Sequence, residues 1–418
     1  MAAFCAYRIL VDACDGAGVD AVYADAVRAR IHSLPVDAFP DVTNIQVEVL
    51  SNAPGLSPLE IERFVTYPIE ISMRGLPGLV TMRSITKYGL SVVTLVFQDG
   101  VDTYFARQLV FERLSSVESN FPEGVKTEMG PIATAMGEIY QYTLEGNEPA
   151  EAEQKIKYLM KLRTLQDWVI SPLLKSVTGV NEVNSFGGYL KEFQVVADPD
   201  RLLKYGMSIN DVCRALKENN QNVGGGFVDH ASEQFIIRGV GLIGSEADIR
   251  NIVVKTHAGI PTFVGDVSEV KTGYAPRQGM ALKDGKGEAV GGIVMMLRGE
   301  NSLTVLRSVE AKVKDINSGN VLPPGLKLKP YYVRSEVVGK SIETVTRALL
   351  EGALLVIIVL YLFLRNLRGA VAVILALPLS MLLTFTVMKS LNLSANLMSL
   401  GGLAISIGMI IDATIIQV

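Results

Sequence analysis

Residues 45–73 read IQVEVLSNAPGLSPLEIERFVTYPIEISM, and the spacing of their apolar residues changes midway. Ile45–Leu50 alternates apolar with polar, the two-residue repeat of a strand with one buried face. Ser57 is an N-cap candidate, and Glu60 three residues on completes a capping box. Ile61, Val65, Ile69 and Met73 then recur four apart, which places them on one side of a helix. Working outward, Thr81–Ile85 and Leu90–Phe97 read as strands, Thr103–Val117 as a second helix and Lys126–Ile132 as a closing strand. From about Val42 to Ala133 the order is thus β-α-β-β-α-β, that of a ferredoxin-like split βαβ unit.

The same order returns with a break in it. Ile139–Leu144 reads as a strand, Leu162–Val177 as a helix and Asn181–Phe186 as a strand. After an insertion at about Gly188–Pro276, the pattern resumes with strand Ala289–Leu297, helix Leu303–Ile316 and strand Leu326–Val333. Two copies of one supersecondary unit make an architectural repeat. The insertion carries its own helix near Asn210–Asn219 and a glycine-rich turn at Gly224–Gly226, and reads as a separate small domain.

Bulk properties narrow the function. The net charge of −4 argues against nucleic acid as a partner, which would need a basic face. Of the three cysteines, Cys5, Cys14 and Cys213, only the last lies in the large polar region, so no disulfide framework is expected there. His32, His230 and His257 are too scattered for a structural zinc site, and the two later ones read as solvated. Gly224–Gly226 lacks the Lys-Ser/Thr of a phosphate-binding loop, so nucleotide hydrolysis has no support and no enzyme is expected.

Three apolar stretches follow Arg347: Ala348–Leu364, Ala370–Met388 and Leu397–Val418. Each approaches the ~20 residues a helix needs to cross a bilayer core. The first connector, Arg365-Asn366-Leu367-Arg368, has two arginines and no acid, so it belongs on the cytoplasmic side. The second connector, Lys389–Asn396, then faces outward, and the long polar region before Ala348 lies outside, in the periplasm of a two-membrane bacterium. Pro378 is expected to kink the second span. Glu351 sits at the outer edge of the first and reads as snorkelling to the interface.

Several motifs make a family match specific. Pro35–Thr43 (PVDAFPDVT), Pro54–Glu70 (PGLSPLEIERFVTYPIE), Gly137–Tyr142 (GEIYQY) and Gly401–Val418 (GGLAISIGMIIDATIIQV) occur in the order found in resistance–nodulation–division (RND) efflux transporters of the heavy-metal, CusA/CzcA-type branch. The chain resembles that branch from about Leu34 to Val418. The resemblance implies an α+β membrane protein: two ferredoxin-like periplasmic porter subdomains with an inserted docking subdomain, followed by three transmembrane helices. The implied divisions are 34–135 for the first porter subdomain and 136–187 with 277–335 for the second. The docking subdomain would be 188–276, and membrane helices two to four 345–418. It also implies an inner-membrane homotrimer that works with a periplasmic adaptor protein and an outer-membrane channel, and exports heavy-metal cations by cation/proton antiport.

Two departures from the family are expected. Residues 1–33, where the family has its first membrane helix, carry Asp12, Asp15, Asp20 and Asp25. At roughly 2.5–3.5 kcal/mol each, these forbid insertion, so this segment is expected not to span. The sequence also stops at the fourth membrane helix, before the second half of such a pump. Besides transport of metal, an RND multidrug pump and a non-functional truncated product stay open. The drug branch carries two adjacent aspartates at the relay position, whereas Asp412 is followed by Ala413.

Asp412 is the candidate proton carrier. It is the one charged residue of the last apolar stretch, and a carboxylate inside a bilayer is costly enough to protonate readily. Met409, three residues before it, and Met398 are candidate metal ligands, since thioether sulfur suits Cu(I) or Ag(I). Met295 and Met296, consecutive in a strand, point to opposite faces and read as structural. Zinc- and cobalt-type relatives carry a second acid about six residues before the relay aspartate, where this chain has Ser406. The transported ion is therefore expected to be Cu(I) or Ag(I) rather than Zn(II) or Co(II), with no bound cofactor. Gln417, where a copper-type helix has methionine, runs against that expectation.

Overall fold

The computed structural model describes residues 42–230, 233–257, 259–277, 279–285, 287–319 and 321–340. Between 343 and 409 it describes isolated residues and the short runs 383–391, 393–396 and 398–403. The expectation for residues 1–33 and most of the three apolar stretches lie outside the described residues. Among the described residues no helix is long and apolar enough to cross a membrane.

The first unit comprises β1 (Gln46–Asn52), α1 (58–73), β2 (Leu79–Lys87), β3 (Leu90–Phe97), α2 (Thr103–Glu118) and β4 (Lys126–Met129). Its sheet runs β2-β3-β1-β4, every neighbouring pair antiparallel. This is the ferredoxin-like order, with the first strand inside and the fourth at the edge. Val47 and Val49 of β1 pack against Ile61, Val65, Ile69 and Met73 of α1, all fully or almost fully buried. Each such side chain removed from water contributes roughly 1.5–3 kcal/mol. The α1 cap is reciprocal: the Glu60 N–H donates to Ser57 Oγ at 3.4 Å, and the Ser57 N–H donates to Glu60 Oε2 at 2.8 Å.

β5 (Glu138–Glu145), α3 (152–175) and β6 (Val180–Phe186) open the second unit. The inserted segment follows, with β7 (Lys191–Ala197), α4 (Pro199–Lys204), α5 (Ile209–Glu218), β8 (Val223–His230) and β9 (Glu233–Gly239). It continues through α6 (Glu246–Arg250), β10 (Val253–His257), β11 (Ile260–Phe263), α7 (Val264–Val267) and β12 (Ser268–Tyr274). A short hairpin, β13 (Leu282–Lys283) and β14 (Gly287–Glu288), leads back. β15 (Gly291–Met296), α8 (Ser302–Ser318) and β16 (Lys327–Val333) complete the second unit. Its sheet is β16-β5-β15-β6, the same order as the first. The insertion has its own small core, including Ala215, Ile249, Val264 and Val270, and β7 pairs with β12 along its whole length.

The first helix of each unit holds one π-helical turn, Glu62–Thr66 in α1 and Gln166–Ile170 in α3. In both, the residue after the turn donates its N–H five residues back, Tyr67 to Glu62 and Ser171 to Gln166, and the next residue is proline. Pro68 and Pro172 lack an N–H, and their rings would crowd the carbonyl four residues earlier. The wider turn makes room for them within a continuous helix.

Two elements differ from the sequence reading. The helix expected at Leu162–Val177 begins at Ala152, because its first turns, AEQKIKYLMK, are polar on most sides and lack a legible apolar stripe. Gly224–Gly226 is not a turn. It lies within β8, where the pairing with β9 slips between Gly224 and Phe227, and Gly226 at φ +82° supplies the left-handed residue of that bulge.

Candidate functional site

Of the residues singled out in the sequence, Asp412 lies outside the described residues. Met398 and Met409 are helical, with 71% and 67% of their surfaces exposed. Met398 stands in a helical run that Asn396 caps: the Ser399 N–H donates to Asn396 Oδ1 at 3.0 Å, and the Asn396 N–H to Ser399 Oγ at 2.8 Å. Ser406, at the position where the resemblance gives zinc- and cobalt-type relatives a second acid, donates its hydroxyl to the Leu403 carbonyl of its own helix at 2.9 Å. His230, His257 and Glu351 are exposed. Met295 is half-buried and Met296 buried. Among the described residues no three His, Cys, Asp or Glu side chains are grouped so as to hold a metal ion.

A cavity of about 280 Å³ opens on the second unit beneath the β13–β14 hairpin, lined by Glu145, Glu148, Lys283, Asp284, Glu288 and Lys329 among others. Three of its carboxylates are paired with cations. Glu145 receives Lys283, and Lys329 Nζ at 3.3 Å; Glu148 Oε1 receives Lys155 Nζ at 2.6 Å; Glu288 receives Arg277. Burial pushes the Glu145 carboxyl up, but the hydrogen bonds and charges of Lys283 and Lys329 outweigh it and hold the group below its ordinary value. Arg277 also lies 3.8 Å over the Tyr189 ring. An arriving cation would have to displace lysines from these carboxylates. The arrangement is therefore a set of ion-pair latches that hold the hairpin down over the cavity.

Each unit also ties its π-helical turn to its sheet through buried polar groups. In the first, Thr66 Oγ1 lies 2.7 Å from Ser91 Oγ and 3.0 Å from Thr86 Oγ1. Register carries the row on, Thr86 opposite Ser91, Ser91 opposite Ser51 and Ser51 opposite Thr127, so hydroxyl residues cross all four strands. In the second, Tyr142 donates its hydroxyl to Gln166 Oε1 at 3.0 Å, and Gln166 is fully buried. Burial is the main reason the Tyr142 phenol is pushed far up. The sequence reading missed Gln166, and the one signal for it was the proline six residues later.

The remaining feature is a projecting ribbon. Every residue of β8 and of β9 is exposed, including Phe227, Val228, Phe235 and Ile236. Neighbouring residues of a strand face opposite ways, so Phe235 and Ile236 put apolar surface on both sides of the ribbon. An isolated two-stranded hairpin is marginal in water, and exposed apolar surface on this scale marks an interaction surface.

The sequence profile of the AcrB/AcrD/AcrF family matches residues 28–418. The chain is 48% identical over 386 residues to the "Cation efflux system protein CzcA" of Alcaligenes sp. (strain CT14), covering 92% of this chain and 36% of that protein. It is equally similar, with the same coverage, to the "Cobalt-zinc-cadmium resistance protein CzcA" of Cupriavidus metallidurans. It is 38% identical over 390 residues to the "Cation efflux system protein CusA" of Escherichia coli (strain K12), covering 93% of this chain and 36% of that protein. A crystal structure of a heavy metal efflux pump superposes with a TM-score of 0.82 at 35% identity, over 94% of this chain and 39% of the pump. The chain thus spans little more than a third of the length of the relatives it matches.

Proposed function

This chain belongs to the AcrB/AcrD/AcrF family of RND transporters, and from that membership we propose that the whole protein exports heavy-metal cations across the bacterial inner membrane in exchange for protons. The observation that carries the proposal is the superposition of 94% of the chain on a heavy metal efflux pump. On this reading 34–135, and 136–187 with 277–335, are the periplasmic porter subdomains. Residues 188–276 are the docking subdomain, and 345–418 hold membrane helices two to four. The β8–β9 ribbon is then a contact between copies in a homotrimer, which accounts for apolar residues on both its faces. A periplasmic adaptor and an outer-membrane channel complete the path.

Asp412 is the proton carrier on this reading. Expressed from the full-length gene in a metal-sensitive host, Asp412→Asn should abolish metal resistance while protein level and trimer persist. Normal resistance in that variant would place the proton path elsewhere.

Two readings of the ion differ in their support. Ser406, bonded to its own helix, leaves Asp412 as the one carboxylate of that stretch, which favours Cu(I) or Ag(I) with Met409 and Met398 as soft donors. The 48% identity to a cobalt-zinc-cadmium resistance protein favours divalent ions instead. Growth of the same host in graded salts decides: protection against zinc or cobalt, with none against copper or silver, overturns the first.

A further inference from the structure

Three arginines from different elements grip backbone carbonyls where the two units meet. Arg107, on α2, donates through Nη1 to the Gly130 carbonyl at 2.6 Å. Arg298, just past β15, donates through Nη2 to the Thr43 carbonyl at 2.6 Å and through Nη1 to that of Asn44 at 3.3 Å. The Arg298 backbone N–H also donates to the Ile132 carbonyl at 3.2 Å. Arg334, which follows β16 directly, donates through Nη1 to the Met136 carbonyl and is itself buried. Close backbone packing adds to this, since a Cβ on Gly137 would stand 3.0 Å from the Met296 carbonyl oxygen.

The acceptors fall in two stretches. Residues 43–44 lead into β1, and 130–136 join the first unit to the second. Arg298 reaches both, and its guanidinium ties a loop of the second unit to a segment more than 250 residues earlier. A planar guanidinium with its N–H groups in a fixed fork can serve two adjacent carbonyls at once, whereas an ammonium acts as a single point charge. Arg334 begins the helical run 334–340, which heads toward the first long apolar stretch. Its first residue is thereby joined to the inter-unit linker at Met136.

We propose that Arg298, seconded by Arg334, is a positioning residue for transport: it fastens the entry to the first unit and the inter-unit linker to the second unit, so that movement arriving along 334–340 reaches both units together. The proposal rests on the transport reading above. It needs the carbonyl grip to hold while the units work, and it assigns Arg298 no contact with metal or proton.

The test uses the full-length protein in proteoliposomes under a proton gradient, with Arg298→Ala and Arg298→Lys. Losing a charged donor to two carbonyls should lower the rate of metal export about ten-fold in Arg298→Ala, with Arg298→Lys between it and the parent. Metal affinity should stay within about two-fold, because no ligand is touched. Hydrogen exchange at 43–45 and 131–134 should rise in Arg298→Ala. Unchanged export in Arg298→Ala, or a loss of affinity equal to the loss of rate, overturns the proposal. Where Arg298→Ala fails to fold, Arg298→Lys is judged by the same readouts. If the parent exports no metal, the transport reading fails on its own. The tie is then judged by exchange alone, and unchanged protection at 43–45 overturns it.

Discussion

In the first unit the second and third strands are joined by two residues, Tyr88 and Gly89; at the same point of the second unit the whole of 187–290 intervenes. The sheets still share one strand order, and both first helices carry a π-helical turn before a proline. The scaffold therefore does not depend on how that hairpin is closed. It depends on the chain leaving and returning at adjacent points. The departure shows how this is managed. Gly187 and Gly188 have φ of +71° and +69°, and Arg163 Nη1 holds the Gly187 carbonyl at 2.9 Å. On the return, the Ala289 N–H donates to the Ala281 carbonyl at 2.9 Å.

The largest expected effect tests that contrast. A Cβ on Gly187 would lie far inside van der Waals contact with the Ala289 carbonyl oxygen, in a backbone conformation that L-residues resist. Gly187→Ala should cost the second unit roughly 3–5 kcal/mol. Gly89 has a similar φ of +75° but nothing within 4 Å of its would-be Cβ, so Gly89→Ala should cost the first unit about 1 kcal/mol. Hydrogen exchange read separately on peptides of each unit distinguishes the two. Equal losses would mean that the crowding at Gly187 is relieved by a small shift of 289, and the contrast would break.

A second pair of changes sharpens the comparison inside the helices. Tyr142→Phe leaves Gln166 Oε1 buried without its donor, and a fully buried amide cannot turn to water. That should cost about 1–3 kcal/mol. Thr66→Val also removes a buried hydrogen bond, but Ser91 and Thr86 keep hydroxyls that can rotate toward nearby carbonyls, so about 1 kcal/mol is expected. Denaturant midpoints of the two variants check the order. A costlier Thr66→Val would show that the hydroxyl row acts as one network.

These cases also show what was legible in the sequence. Ile61, Val65, Ile69 and Met73 announced α1 by spacing alone, and all four are fully buried. Ser57 and Glu60 announced its start, because a capping box is local chemistry. Gln166 could not be read, since glutamine is ordinarily exposed and its burial depends on Tyr142, brought up by another element. The beginning of α3 was hidden by its polar surface. The glycine run at Gly224–Gly226 reads as a turn in sequence, because a bulge and a turn ask for the same left-handed residue. The arginine grip was invisible for a different reason: its acceptors are backbone carbonyls, which every residue carries.

The smallest expected effect concerns acid. Glu145 ties β5 to the β13–β14 hairpin through Lys283, and its carboxyl is held below its ordinary value of 4.5. A carboxyl depressed in the folded state contributes stability above its unfolded pKa and loses it as pH falls through the folded value. The second unit should therefore weaken below about pH 4.5, and Glu145→Gln should remove that part of the pH dependence by giving up at neutral pH about the same modest stability that the parent loses in acid. The change will be modest, because the Glu145 side chain is 35% exposed and the pair is screened. The first unit supplies the control. Glu60 is also held low, chiefly by the Ser57 hydroxyl, but it is fully solvent-exposed and caps only one helix end. Denaturant midpoints at about pH 6 and about pH 3, in low and high salt, separate the two cases. A Glu145→Gln protein that keeps the parent's full acid sensitivity would move the acid-labile group out of the cavity, leaving the lysine latches as neutral-pH packing rather than a charge-dependent hold on the hairpin.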